Sequence, residues 1–287
     1  MEILSEKLGI EPIHFEGASD YHMHCDYSID AVGTIDEYCE AALRRNLAEI
    51  CFTTHYDTNP NGDCQGNLIS IHGQHKETTI ENLQFYVDDV LRAQEKYYVK
   101  GLSVKLGLEY GWYDNCEESA QKVKDAYNFD YFLCGIHEID NICFCCRRSY
   151  EKCFERYSLE KMLENYYKTV ITASNTQLFN TIAHLEYYVK YAQAYYKNTS
   201  LHKFTEPFLD DLFIALKKSK TSLEINTAGI RHGVNQYYPN NKIINLAKKA
   251  GVKVQYLGAD AHRPQDVGFE FEIAASFVPD TIAGCEE

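Results

Sequence analysis

A chain of 287 residues has room for one large α/β domain or two small ones, and 45% hydrophobic against 24% charged residues is the composition of an ordinary globule with an ample core. A formal charge of −14, from 28 basic and 42 acidic residues, argues against broad affinity for nucleic acid or a membrane surface, both anionic, yet leaves room for a small phosphorylated substrate held through metal ions. No apolar run approaches the roughly 20 residues of a membrane helix, and the polar stretch from Met1 to Glu16 lacks the pattern of a secretory signal, so the cytoplasm is the expected compartment.

Near the N-terminus, Asp20-Tyr21-His22-Met23-His24 places two histidines one residue apart on a short strand between Gly17 and Cys25. Side chains alternate along a strand, so both rings share a face and can grip one metal ion. Thr34-Ile35-Asp36-Glu37 is a capping box that opens a helix to about Arg45. Leu47 to Thr54 reads as a buried strand ending at His55, and the polar, glycine-containing stretch from Tyr56 to Gln74 as a long loop. Helical spacing of Ile80, Leu83, Val87, Val90 and Leu91 predicts a helix from about Thr79 to Tyr98.

A third strand, Ser103 to Tyr110, carries Glu109 near its end. Glu117 to Ala126 is helical, and a fourth strand, Tyr131 to Ile136, delivers His137. Asn141 to Tyr157 reads as irregular. Ser158 to Ala173 is amphipathic and helical, and a brief fifth strand, Asn180 to Ala183, leads to His184. A helix over Pro207 to Lys218 precedes a sixth strand, Thr221 to Asn226. Pro239 near the first turn and Gly251 after the last bracket a further helix. A seventh strand, Lys253 to Leu257, runs into Asp260 and His262, a second pair at i, i+2. Nothing in the chain marks a linker or an internal repeat, so one domain is expected.

Strand, ionisable residue, loop and helix therefore recur about seven times, which argues for a parallel sheet with crossover helices. In a closed β/α barrel the strand C-termini meet on one face, where active sites sit. That rim would carry His22, His24, His55, Glu109, His137, His184, Asp260 and His262. Imidazole and carboxylate ligands suit Zn, Mn or Fe. Two or three such ions roughly 3.5–4 Å apart, bridged by a carboxylate and a water, would supply hydroxide at neutral pH and neutralise phosphoryl oxygens. His14, His72, His75 and His202 fall in predicted loops or near the terminus and read as solvated; His232 is ambiguous. Eleven cysteines read as reduced thiols. The densest group, Cys143, Cys145, Cys146 and Cys153, lacks paired C-x-x-C spacing and is a poor match to a structural zinc site.

These residues together resemble the polymerase and histidinol phosphatase (PHP) superfamily, and within it the histidinol-phosphate phosphatases. The resemblance rests on DYHMH, on FTTH at His55, on GLEYGW at Glu109, on CGIHEID at His137, on IAHLEY at His184 and on LGADAHRPQDVG, with EINTAGIRHG and YPN before the last; it runs from about residue 18 to 270. It implies a distorted seven-stranded (β/α)7 barrel, TIM-barrel-like, with a trinuclear metal centre. Carried over by position, one metal takes His22, His24, Glu109 and Asp260. A second takes Glu109 as a bridge with His137 and His184, and a third takes His55, His262 and Asp30, with Asp26 as a competing choice.

The implied chemistry is hydrolysis of L-histidinol phosphate by attack of a metal-bridging hydroxide on phosphorus, with Asp260 able to accept the proton. A guanidinium grips two phosphate oxygens at once, which points to Arg231 as the phosphate clamp, beside His232 and Arg263, with Arg147 or Arg148 as weaker choices. Glu138 and Asp140 are candidates for the substrate's amino group. The competing readings are the same site acting on a nucleotide, oligonucleotide or phosphotyrosine, and a barrel that binds metal or ligand without catalysis.

Overall fold

The computed structural model describes residues 17–63, 67–197 and 201–277. Its elements run β1 (Ser19–Asp20), α1 (Ile35–Arg44), β2 (Glu49–Phe52), β3 (His55–Tyr56), β4 (Leu68–Ile71), β5 (Gln74–Glu77), α2 (Ile80–Tyr98), β6 (Ser103–Gly111), α3 (Glu117–Ala126) and β7 (Tyr131–Gly135). They continue with β8 (Glu138–Ile139), β9 (Ile142–Cys143), α4 (Tyr150–Arg156), α5 (Leu159–Asn175), β10 (Thr181–Ile182), α6 (Val189–Tyr195), α7 (Leu201–Ser219), β11 (Ser222–Asn226), α8 (Ala228–Arg231), α9 (Asn241–Lys249), β12 (Val254–Gly258) and α10 (Phe271–Ala274).

The main sheet runs β1-β2-β6-β7-β10-β11-β12, with every neighbouring pair parallel, and β3 adds a short pairing to the end of β6. The two ends of this order meet: Tyr21 N donates to Leu257 O at 2.9 Å, and Asp260 N to His22 O at 2.8 Å. His24 N donates to Ala261 O at 2.8 Å, and Met23 and Ala261 form a parallel bridge. The expected seven-stranded barrel is therefore present and nearly closed, and its closure draws the first and last motifs together.

Alternation along each strand separates two apolar layers. Ile50 and Phe52 of β2, with Val104, Leu106 and Leu108 of β6, face the helices in the large outer core. Cys51, Tyr131, Leu133 and Ala183 form a small cluster on the opposite strand faces, covered by Tyr21 and Tyr256. The Tyr21 ring stacks on Tyr256 at 4.6 Å and meets Tyr131 edge-on at 5.2 Å, so tyrosines fill the barrel interior. Polar side chains project from the strand ends beyond this filling.

Local signals explain most helix starts. Thr34 completes its capping box with Glu37, and Thr79, Ser158 and Asn240 each accept a backbone N–H in the first turn of α2, α5 and α9. Three expectations change. The stretch expected as a loop to Gln74 holds the β4–β5 hairpin, whose long-range anchor is a bridge between Ser28 and Ile69. The segment expected to be irregular holds β8, β9 and α4. Pro207 lies inside α7, and Pro239 precedes the Asn240 cap after a cis bond to Tyr238. His14 lies outside the described residues, His202 falls in α7, and His72 and His75 are exposed on the hairpin. Among the described residues no helix is long and apolar enough to cross a membrane.

Candidate metal centre

The strand ends deliver one ligand after another to a common centre. Glu109, near the end of β6, is fully buried. Its Oε2 lies 3.3 Å from His22 Nε2, 3.4 Å from His24 Nε2 and 2.9 Å from His55 Nδ1, while Oε1 lies 2.9 Å from His184 Nε2 and 3.4 Å from His137 Nε2. Asp260 Oδ1 sits 3.6 Å from His22 Nε2 and 3.3 Å from His24 Nε2. Asp30 Oδ2 approaches His262 Nε2 at 3.4 Å and His55 Nε2 at 3.8 Å. All nine residues expected as ligands thus gather in one place. Asp26 is exposed and takes no part in the cluster.

Four groups have their ligand atoms mutually within 4.8 Å: His22, His24 and Asp260; His22, Glu109 and His184; His24, His55 and His262; and His55, Asp57 and His137. Asp57 was not anticipated. Its position after the FTTH motif was a detectable signal, and its carboxylate occupies the space that a Cβ on Gly111 would fill. Gly135 serves the same purpose, since a Cβ there would meet Glu109 Oε1 at 2.5 Å and the His137 ring at 2.6 Å.

The donor set fits divalent cations on internal grounds. Among the described residues, buried Glu109 Oε2, His55 Nδ1 and His184 Nδ1 make no hydrogen bond, the first two because their 2.9 Å approach is misaligned, a rare state for buried polar atoms. Bare ring nitrogens also face each other, His22 Nε2 to His24 Nε2 at 3.2 Å and His137 Nε2 to His184 Nε2 at 3.3 Å. A cation between them would satisfy both.

The charge balance agrees. Burial, then His55 and His262, hold His24 well below the usual imidazole range, which keeps it neutral. Burial opposes ionisation of Glu109 and Asp260, yet His22 and the other imidazoles hold both carboxylates well below their usual values. Burial likewise opposes charging of His55, but Glu109 and Asp30 push it up to about 9.

A supporting layer fixes the ligands. Glu224 on β11, fully buried, receives His22 Nδ1 at 3.0 Å, His184 N at 2.6 Å and Asn226 Nδ2 at 2.9 Å, all on Oε1. Because a carboxylate only accepts, Glu224 keeps a proton on His22 Nδ1, which leaves Nε2, turned to the centre, as the nitrogen a metal ion would take. Asp20 ties the first motif to the last by accepting from Ala259 N at 3.0 Å and Gly268 N at 2.8 Å. His184 and Asp260 adopt φ of 28° and 51°, the left-handed region that costs a non-glycine residue on the order of 1–3 kcal/mol. The barrel holds that strain where two candidate ligands turn inward. Neither Glu224 nor Asp20 was assigned a role from sequence, since each acts through a partner far along the chain.

Beside the cluster opens a cavity of 480 Å³ whose wall includes Asp57, Glu138, Arg147, Arg148 and Lys190, with Asp30, His55, His137, His184, Asp260 and His262 at its base. Arg231, the expected phosphate clamp, does not line it. Its guanidinium donates to Ala259 O at 2.9 Å and Asp260 O at 2.7 Å, so it braces the turn that carries Asp260. His232 is also off the cavity, 3.4 Å from Tyr238 Oη, and burial followed by Lys190 pushes it down to about 3. Arg263 is exposed outside the cavity, and Asp140 bonds Tyr157 at the surface. The cations that do reach the cavity are Arg147, Arg148 and Lys190, the last unanticipated because α6 gave no helical signal. Glu138 lines the cavity and is held by Asn59, which also donates to Asn141 Oδ1 at 2.8 Å; burial pushes Glu138 up to about 7.

Comparison with known proteins follows the same lines. A "PHP domain" profile matches residues 20–228. The "Probable histidinol-phosphatase" of Deinococcus radiodurans is 28% identical over 271 residues, covering 92% of this chain and 94% of that protein. The histidinol-phosphatase of Lactococcus lactis is 28% identical over 250 residues, covering 85% and 83%. The crystal structure of the Lactococcus lactis histidinol phosphate phosphatase, complexed with Zn, L-histidinol and phosphate, superposes with a TM-score of 0.73 at 20% identity, over 94% and 95% of the two chains. A putative histidinol phosphatase from Listeria monocytogenes superposes with a TM-score of 0.76 at 18% identity, over 88% and 98%. At these identities the superpositions establish the barrel, and the profile spanning most of the chain establishes the lineage: the protein belongs to the PHP domain family.

Proposed function

We propose that this protein is a metal-dependent phosphomonoesterase that hydrolyses L-histidinol phosphate to L-histidinol and phosphate, a cytoplasmic step of histidine biosynthesis, with the whole chain acting as one domain. The observation that carries this reading is adjacency. A buried, carboxylate-bridged cluster of imidazoles forms the floor of a cavity with cations and the half-buried carboxylates of Asp57 and Glu138 on its walls. A phosphate ester that also carries a protonated amine needs both signs of charge. The relatives named histidinol-phosphatase, and the zinc, L-histidinol and phosphate in the Lactococcus lactis structure, support the same substrate.

In this reading two or three divalent ions (Zn, Mn or Fe) are held by His22, His24, Glu109 and Asp260, by Glu109, His137 and His184, and by Asp30, His55 and His262. When bound, such ions make water acidic enough to ionise at neutral pH and offset the charge of phosphoryl oxygens. The chain's own groups do the rest. Asp260 orients the attacking water and takes up its proton, and Arg231, by fixing two carbonyls of that turn, keeps Asp260 in place. Arg147, Arg148 and Lys190 attract the phosphate, and Glu138 with Asp57 receives the amino group. The tyrosine-filled barrel below closes the site on its far side.

The test is phosphate release by zinc-loaded protein. L-Histidinol phosphate is expected to give a kcat/KM at least about a hundredfold above p-nitrophenyl phosphate, a phosphotyrosine peptide or a dinucleotide. Efficient turnover of one of those without turnover of L-histidinol phosphate would overturn the substrate, and turnover of none despite bound zinc would overturn the enzyme.

A further inference from the structure

The cysteines around β9 have no part in the chemistry above, yet Cys143, Cys145 and Cys146 form part of the cavity wall. Cys143 ends β9 and pairs in register with Glu138 across the β8–β9 hairpin. Two residues on, the chain turns back so that Cys145 Sγ lies 3.4 Å from Cys143 Sγ. Both sulfurs belong to residues lining the cavity, beside Cys146 and the cationic Arg147, Arg148 and Lys190. Cys143 is buried and Cys145 partly exposed.

This arrangement is not a metal site. Among the described residues no group of three ligand atoms within reach of one ion includes a cysteine. A structural zinc therefore has no preformed cage here. Two sulfurs at contact distance instead make a dithiol, 3.4 Å apart against about 2.05 Å in a disulfide bond. The hydrogen bond to Cys143, reinforced by burial, holds the Cys145 thiol well above its usual range, while Lys190 on the same wall works in the opposite direction.

We propose that Cys143 and Cys145 form a modification site that exchanges with small oxidised thiols, and that closing their disulfide slows turnover reversibly. The thiolate of the pair attacks one sulfur of a low-molecular-weight disulfide; that S–S bond breaks, a mixed disulfide forms, and one small thiolate leaves and takes a proton from water. The second cysteine gives its proton to water and attacks the protein sulfur of the mixed disulfide, releasing the second small thiol. Two protein thiols are oxidised by two electrons, and one external disulfide becomes two thiols. Closure acts on the site because it shortens the segment between β9, whose Cys143 pairs with Glu138 of β8, and Arg147 and Arg148.

The experiment uses the full chain loaded with zinc, which is redox-inert, incubated with oxidised glutathione. Remaining thiols are blocked with maleimide and the protein is cleaved after Phe144, which separates the two cysteines unless a disulfide joins them. The expected result is a Cys143–Cys145 linked pair of peptides and a fall of at least fivefold in kcat/KM for a phosphomonoester, restored by dithiothreitol. Cys143→Ser and Cys145→Ser should respond less than twofold, and Cys146→Ser should respond as the parent does. Maleimide on both cysteines after oxidation, linkage to a different cysteine, linkage with kcat/KM unchanged, or an equal response from Cys145→Ser would each overturn it. The peptide map needs no substrate, so a wrong substrate would appear separately, as reduced protein that leaves L-histidinol phosphate intact.

Discussion

Glu224→Gln tests whether the metal centre depends on a group that touches no metal. Three donors converge on Glu224 Oε1, at 2.6, 2.9 and 3.0 Å, and His22 Nδ1 is also 3.1 Å from Oε2. In the variant the amide oxygen must take the Oε1 position to keep His184 N–H and the Asn226 amide satisfied. That leaves the amide NH2 about as close to His22 Nδ1 as the oxygen is, where its protons oppose the Nδ1 proton and favour the tautomer protonated on Nε2, the atom turned to the centre. Loss of such a supporting partner typically weakens metal binding about 10–100-fold, or about 1.4–2.7 kcal/mol. Turning charge-assisted hydrogen bonds into neutral ones independently gives about 1–2 kcal/mol. The assay is competition for zinc between protein and a chelator of known affinity, with circular dichroism to verify the fold. A correctly folded variant that holds zinc within twofold of the parent would refute the argument that Glu224 sets the His22 tautomer.

Other expected outcomes follow from the same geometry. Gly135→Ala drives a methyl into Glu109 and His137, and should lower kcat about 10²-fold with loss of metal measured by elemental analysis. Glu138→Gln should raise KM for L-histidinol phosphate about tenfold and leave KM for p-nitrophenyl phosphate, which has no amine, within twofold. Zinc must displace protons from imidazoles such as His55, so its apparent affinity should climb about tenfold per pH unit for each proton displaced, with the His55 contribution ending near pH 9. In metal-free protein the raised His55 value stabilises the fold fully below its ordinary value of 6.5, and that contribution is lost as pH rises through about 9; thermal melts across this window check the sign. Thr34→Ala removes one side of a complete capping box and should cost about 1 kcal/mol in denaturant melts, with no change in kcat.

The sites that sequence located well are those whose signal is local. The two i, i+2 pairs and the histidines at strand ends needed only strand alternation and a count of β/α units; Thr34 marked its helix by a capping box, and apolar spacing placed the helices that Thr79 and Ser158 cap. Arg231 shows where that reasoning stops. Its type and motif suggest a phosphate clamp, but whether a guanidinium faces a ligand or two backbone carbonyls depends on how the Ala259–Asp260 turn passes over it. Glu224, Asp20 and Lys190 escaped for the same reason: a buried carboxylate or a short helix carries no sign of the distant residue it serves.

The amino-acid pattern by itself determined the alternating architecture and the inventory of side chains able to bind metal, because both follow from periodicity and residue chemistry within a few positions. Only the tertiary structure decided which ligands share an ion-sized space, which cations reach the cavity, and that Cys143 and Cys145 touch on its wall. Those are distances between groups that barrel closure brings together from far apart in the chain, and a few ångströms there separate a ligand from a brace.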